Sequence, residues 1–243
     1  MNRLFHTLFV MSALLFFGGV ASTVSAAGFN DKVLNKPYAD MRRWHLGFSV
    51  GVHTQDFLFT HNGMVTDQGE EWYAEQPGFS PGFCVNGLVD YRLGPLLNLR
   101  FTPGMYFGNR DVTFREYNTG AALRQNVKTA YVVMPVDLKF SGVRLRNSRP
   151  YLTAGVMPAV NVTVKKGDYL RLKPAEVYLT AGFGCDFYLP YFKFIPEVKF
   201  CFGLSDALAR QRPDLEDEPD KIKITRSLSK ALSRMVVFTF YFE

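Results

Sequence analysis

The stretch Arg234–Glu243 (RMVVFTFYFE) constrains this chain more than any other. Val236, Phe238, Phe240 and Phe242 fall on one face of a strand, with Met235, Val237, Thr239 and Tyr241 on the other. Side chains alternate faces along a strand, so phenylalanines at every second position make one strongly apolar surface. Such a strand is either a core strand of a soluble sandwich or the closing strand of a transmembrane β-barrel, which pairs with the first strand and leaves no open edge. The rest of the chain decides between them.

The beginning of the chain reads as a targeting segment. Arg3 precedes a nearly all-apolar run from Thr7 to Val20, and Val24-Ser25-Ala26 supplies small residues before Ala27. This is the three-part pattern of a secretory signal peptide, with removal expected after Ala26. No later run of about 18 apolar residues exists, so a membrane could be crossed only by strands. The formal charge of +6 falls to +5 without Arg3, and no long basic run suggests nucleic acid. Cys84, Cys185 and Cys201 are odd in number and lack metal-ligand or redox spacing; a disulfide stays open, and single thiols, buried or lipid-facing, are the favoured reading.

After a tail at 27–43, period-two alternation recurs along the chain. Trp44, Leu46, Phe48, Val50 and Val52 alternate with His45, Gly47, Ser49, Gly51 and His53. Further strands are predicted over 79–91, 97–107, 130–140, 151–164, 176–187 and 192–202, followed by the strand at the end. Arg92–Pro95, Ser141–Ser148 and the region of Pro190 make short turns. The connections Asp56–Pro77, Gly108–Lys128, Lys165–Pro174 and Ser205–Ser233 are longer and polar, although Val112–Tyr117 could extend a strand pair beyond the membrane. The expectation is an all-β fold: an eight-stranded antiparallel up-and-down transmembrane β-barrel over 44–243. Short turns on one side and long loops on the other give it the sidedness of an outer-membrane protein.

Composition of the second face favours the membrane. A soluble barrel would cover its outer face with Lys and Glu, whereas here the non-apolar face is mostly Gly, Ser, Thr, Asn and Tyr. Its few charges, Asp90, Arg100, Asp137, Lys139, Glu176, Asp186, Glu197 and Lys199, have both signs and suit a narrow interior where they pair. Trp44, Phe79, Tyr91, Phe107, Phe140 and Phe192 near strand ends fit interfacial girdles.

Candidate chemistry is sparse. His45, Ser49 and His53 share the inward face, yet residues four apart on a strand lie roughly 13 Å apart, beyond the reach of a nucleophile–base pair. A loop metal site from His53, Asp56 and His61 has little support in their spacing. No catalytic residue, cofactor ligand or metal ligand is expected, and the inward charges read as a structural ion-pair network. An eight-stranded interior is just wide enough for its own side chains, so a role in transport would be that of a component or scaffold.

The stretches MPVDLKF (Met134–Phe140), RPYLTAGVMP (Arg149–Pro158), FGCDFYLPYFKFIPEVKFCFGLSD (Phe183–Asp206) and SRMVVFTFYFE (Ser233–Glu243), together with WHLGFSVGVHTQDF at the first strand, resemble the PorT family of outer-membrane barrels of the type IX secretion system. The resemblance implies a non-enzymatic outer-membrane component needed for secretion, maturation and surface display of proteins with a C-terminal secretion signal, such as surface proteases. Implied partners are outer-membrane lipid, other proteins of the secretion machinery and the barrel-assembly machinery that inserts it. The alternatives are a barrel enzyme acting on lipid or peptide, and an adhesin or structural barrel of OmpX type.

Overall fold

The computed structural model describes residues 34–61, 72–75, 80–116, 122–163, 173–205 and 228–243. The expected signal peptide, 1–26, and the first part of the tail lie outside the described residues, as does Phe79. Among the described residues a short 3-10 turn, Ala39–Met41, precedes eleven strands: β1 (Trp44–His61), β2 (Trp72–Glu75), β3 (Pro81–Arg92), β4 (Leu97–Phe101), β5 (Gly104–Glu116), β6 (Ala122–Val133), β7 (Val136–Ser141), β8 (Ser148–Asn161), β9 (Ala175–Tyr188), β10 (Lys193–Gly203) and β11 (Leu228–Phe242).

All pairings are antiparallel, and they form a ring. β1 pairs with β3, β3 with β4 and β5, β4 with β7 and β5 with β6. The latter two pair with β8, which pairs with β9; β9 pairs with β10, β10 with β11, and β11 returns to β1. Strands β4 and β5 are two halves of one barrel strand, as are β6 and β7, because the register Leu97↔Phe140 to Phe101↔Val136 resumes at Gly104↔Val133 with the same offset. The ring is therefore the expected eight barrel strands, with β2 an outlying addition paired to the far end of β5. Phe48↔Phe242 through His61↔Leu228 is the seam closed by the strand that first suggested a barrel.

Proline causes both interruptions. Pro103 and Pro135 have no N–H to give to the ladder, and they sit at the same height on adjacent barrel strands. Lone backbone bonds bridge the gap: the Gly87 N–H donates to the Pro103 carbonyl at 2.8 Å, Thr102 to Pro135 at 3.2 Å and Met134 to Pro158 at 3.0 Å.

The barrel is inside-out relative to a soluble one. Leu46, Phe48, Val50, Val52, Phe83, Val85, Leu138, Leu152, Leu179, Phe183, Phe238 and Phe240 are exposed, whereas the polar face is buried. The apolar band on β1 runs from Trp44 to Thr54, about 33 Å of strand, which a tilt of about 40° projects to about 25 Å. Exposed Asp56, opposite exposed Arg234, marks where it ends. An apolar surface of this extent marks a membrane or protein contact, and one spread around a ring of strands fits lipid. Trp44 meets Tyr91 in a tilted contact at 4.6 Å and Phe83 stacks at 4.8 Å on Phe107, near the two margins of the band.

Several expected boundaries are corrected. Asp56–Pro77 is not all loop, since β1 runs to His61 and β2 lies within it. Most of Gly108–Lys128 is strand, with the β5–β6 ladder continuing to Arg115↔Ala122. The connection expected to end at Ser233 ends before Leu228, and the fifth barrel strand stops at Asn161 rather than 164. The cause is common to the extensions: past the lipid, the outward face no longer has to be apolar, yet backbone pairing continues.

Candidate functional site: the barrel interior and its short-turn mouth

Alternation aims one side chain in two at the barrel axis, and the polar ones there form a connected network. Arg100, at 0% exposure, donates from Nε and Nη2 to Asp90 (3.2 and 3.1 Å) and from Nη1 to Glu197 (2.8 Å). The Tyr151 and Tyr241 hydroxyls donate to Glu197 at 2.7 and 3.2 Å, while both rings lie 5.0 Å from the guanidinium carbon. Lys199 bridges Asp137 at 2.5 Å and Glu197 at 3.3 Å, and Thr180 donates to Asp137 at 2.6 Å. Lys139 donates to both oxygens of Asp186, at 2.8 and 2.7 Å. A planar guanidinium fits this position because one face can stack on tyrosine while its edge serves two carboxylates. Taking such charges out of water costs several kcal/mol per ion, on the order of what good pairing returns, so the network specifies a filled barrel more than it stabilises one.

Farther from the short turns the filling turns apolar. Cys84, Tyr106, Tyr131, Val133, Met157, Tyr178, Cys201, Met235 and Val237 form one buried cluster. Inward glycines leave room for the tyrosines: a Cβ on Gly184 would lie 2.5 Å from the Tyr151 hydroxyl. The thiols are free, Cys84 and Cys201 inside and Cys185 partly exposed.

At the short-turn mouth, the segment read as a plain tail packs onto the barrel. The Tyr188 hydroxyl donates to Asp40 at 2.5 Å, Arg144 caps the carbonyls of Asn35 and Lys36, and the Asn35 amide donates to Asn147 at 2.9 Å. Arg149 ties two turns together by donating to the carbonyls of Gly142 (2.9 Å) and Pro95 (2.7 Å). Beside them Glu243 contacts His45 Nδ1 at 2.5 Å and Lys193 Nζ at 2.8 Å. Burial alone would raise the Glu243 pKa, but the His45 hydrogen bond and the Lys193 charge outweigh it and hold the carboxyl down at about 2. Burial also opposes ionisation of Asp40, and there the Tyr188 hydrogen bond and the charges of Lys193, Arg149 and Arg144 win.

A family model described as outer membrane protein beta-barrel domain matches residues 30–209, well over half of the sequence. The chain belongs to that family. No curated protein matches it. Among solved structures, this outer-membrane barrel is similar to OprG of Pseudomonas aeruginosa (10% identity, TM-score 0.43, covering 82% of this chain and 93% of that one). It is also similar to the N-terminal β-barrel domain of OprF from the same organism (12%, 0.37, 81% and 99%). A third is Ail, the attachment invasion locus protein of Yersinia pestis, solved with the heparin analogue sucrose octasulfate (10%, 0.35, 83% and 100%).

Within the barrel, the candidate catalytic group is not assembled. His45, Ser49 and His53 all point inward and are buried, but each has its own partner: Glu243 for His45, Asn86 (3.1 Å) for Ser49, and the Tyr106 ring, stacked at 5.2 Å, for His53. The loop metal set also falls apart. His53 faces in, Asp56 faces out, and the His61 side chain lies outside the described residues. Among the described residues no cluster of metal-ligating side chains occurs. Sequence reading placed all eight inward charges correctly, and each is buried. It missed the mouth: Asp40 and Arg144 sit in segments without periodicity, Arg149, Lys193 and Glu243 sit at strand ends, and the five meet only when the barrel closes.

Proposed function

We propose that this barrel is a PorT-like, non-enzymatic component of a type IX secretion system, needed for export, maturation and surface display of proteins carrying a C-terminal secretion signal. One observation carries the reading: the stretches that resemble the family supply most of the interior network. MPVDLKF contributes Asp137 and Lys139, RPYLTAGVMP contributes Arg149 and Tyr151, the Phe183–Asp206 stretch contributes Asp186, Lys193, Glu197 and Lys199, and the last stretch contributes Tyr241. A likeness confined to lipid-facing residues would fit any barrel; this one includes the side chains that fill the bore. A filled bore has no room for a protein substrate, so the barrel acts as a scaffold whose partners dock on its loops and rims, where contacts do not disturb the packed interior. Insertion proceeds through the barrel-assembly machinery.

The test is deletion of the gene followed by fractionation of a surface protease that carries the C-terminal signal. Unprocessed protease accumulating in the periplasm, with surface delivery restored by complementation, is the expected result. Normal surface delivery would remove the secretion role and leave an adhesin or structural barrel. In the complemented strain, Ser49→Ala and His53→Ala should retain export; loss of export with normal barrel assembly would instead favour an enzyme.

A further inference from the structure

We infer that the short-turn rim carries a binding site for an anionic phospholipid of the adjacent leaflet, independent of any role in secretion. A cavity of about 470 Å³ opens there, between the mouth and the lipid-facing wall. Its polar side is lined by Lys36 and Arg42, its apolar side by Trp44, Leu46 and Tyr38. Trp44 and Leu46 belong to the lipid-facing band, exposed by 61% and 68%, and Tyr38 is 73% exposed. The cavity is therefore continuous with the membrane on one side and with water on the other.

Charge selects the occupant. The acidic group lining this cavity, Glu243, is already engaged by His45 and Lys193. Nearby Asp40 is held by Tyr188, Arg144 and Arg149. That leaves the Lys36 and Arg42 cations facing the cavity without a carboxylate among the described residues. The backbone that presents them is fixed in advance: Arg144 holds the carbonyls of Asn35 and Lys36, and Lys36 itself sits at φ 48°, a left-handed conformation that a lysine adopts only under constraint. A phosphodiester between these cations would place its acyl chains along Trp44 and Leu46. An inorganic anion would use the cations and leave the apolar wall idle, whereas a phospholipid uses both.

Trp44 reports on the site directly. In full-length protein carrying Trp72→Phe, Trp44 becomes the sole tryptophan. The protein is refolded into phosphatidylcholine vesicles with increasing fractions of lipid brominated on the acyl chains, and Trp44 quenching is measured. Brominated phosphatidylglycerol should reach half-maximal quenching at a mole fraction roughly five- to twenty-five-fold below that of brominated phosphatidylcholine, about fivefold for each cation engaged. Lys36→Gln with Arg42→Gln should remove the preference, while the charge-keeping pair Lys36→Arg and Arg42→Lys should retain it. Folding of each variant is checked by heat-modifiable gel mobility. Equal quenching by the two lipids, or a preference that survives the glutamine pair, would overturn the inference. Reversal of the preference by excess inorganic phosphate would overturn it too, by showing that the ligand is the bare anion.

Discussion

Arg100 is the residue on which the interior most depends. Replacing it with Met removes the cation and leaves Asp90 and Glu197 buried and under-compensated, which costs about 3–5 kcal/mol. Urea unfolding of the barrel refolded in vesicles should show this loss. Adding Asp90→Asn should recover part of it, because the carboxylate that Arg100 paired disappears, whereas Glu197 keeps Lys199. Glu243 makes a different prediction at the mouth. Its pKa falls from 4.5 in the unfolded chain to about 2 in the folded one, so its contribution is complete above pH 4.5. That contribution is lost as pH drops toward 2, and is at most about 3 kcal/mol by the size of the shift. Glu243→Gln should flatten the acid limb of a stability–pH profile in that window, and an unchanged limb would mean the His45 and Lys193 contacts contribute nothing. None of these pairings was legible in the sequence. Alternation says that Arg100 and Glu197 both point inward, but which carboxylate meets which cation depends on register between strands far apart in the chain.

The strands were the most legible elements, and for a physical reason. Within the lipid every outward position must be apolar, so β1, β9 and β11 carry uninterrupted alternation. Beyond the lipid that requirement lapses, which is why the extensions to His61 and Leu228 left no period to read, whereas Val112–Tyr117 kept enough to suggest the one that ends at Glu116. The two proline breaks were hidden inside otherwise regular runs, and β2 is too short to show alternation at all. The same requirement predicts mutational asymmetry. Phe240, opposite Val50 on β1, lies within the apolar band, and Phe240→Arg should cost about 2–4 kcal/mol of folding free energy in a bilayer. Tyr191→Arg, in a turn and 90% exposed, should cost less than about 1 kcal/mol. Equal costs from urea titrations of the two variants would place the membrane boundary wrongly.

For the molecule as a whole, the fold sets limits on function. A ring of eight strands whose bore is occupied by Arg100, Tyr151, Tyr241, Tyr131 and Tyr178, each almost fully buried, leaves little room for water along its axis. The purified barrel should therefore show no conductance steps in a planar bilayer, and steady steps would contradict the filled bore. Everything proposed about export and rim lipid depends on the polar face being inside and the apolar face meeting lipid. The most direct test is a nitroxide scan of 235–242 in a background with Cys84, Cys185 and Cys201 replaced, reading collision with oxygen, which dissolves in lipid, along β11 in vesicles. Val236, Phe238, Phe240 and Phe242 should give high oxygen accessibility and Met235, Val237, Thr239 and Tyr241 low. The opposite phase, or no alternation, would contradict the membrane barrel itself.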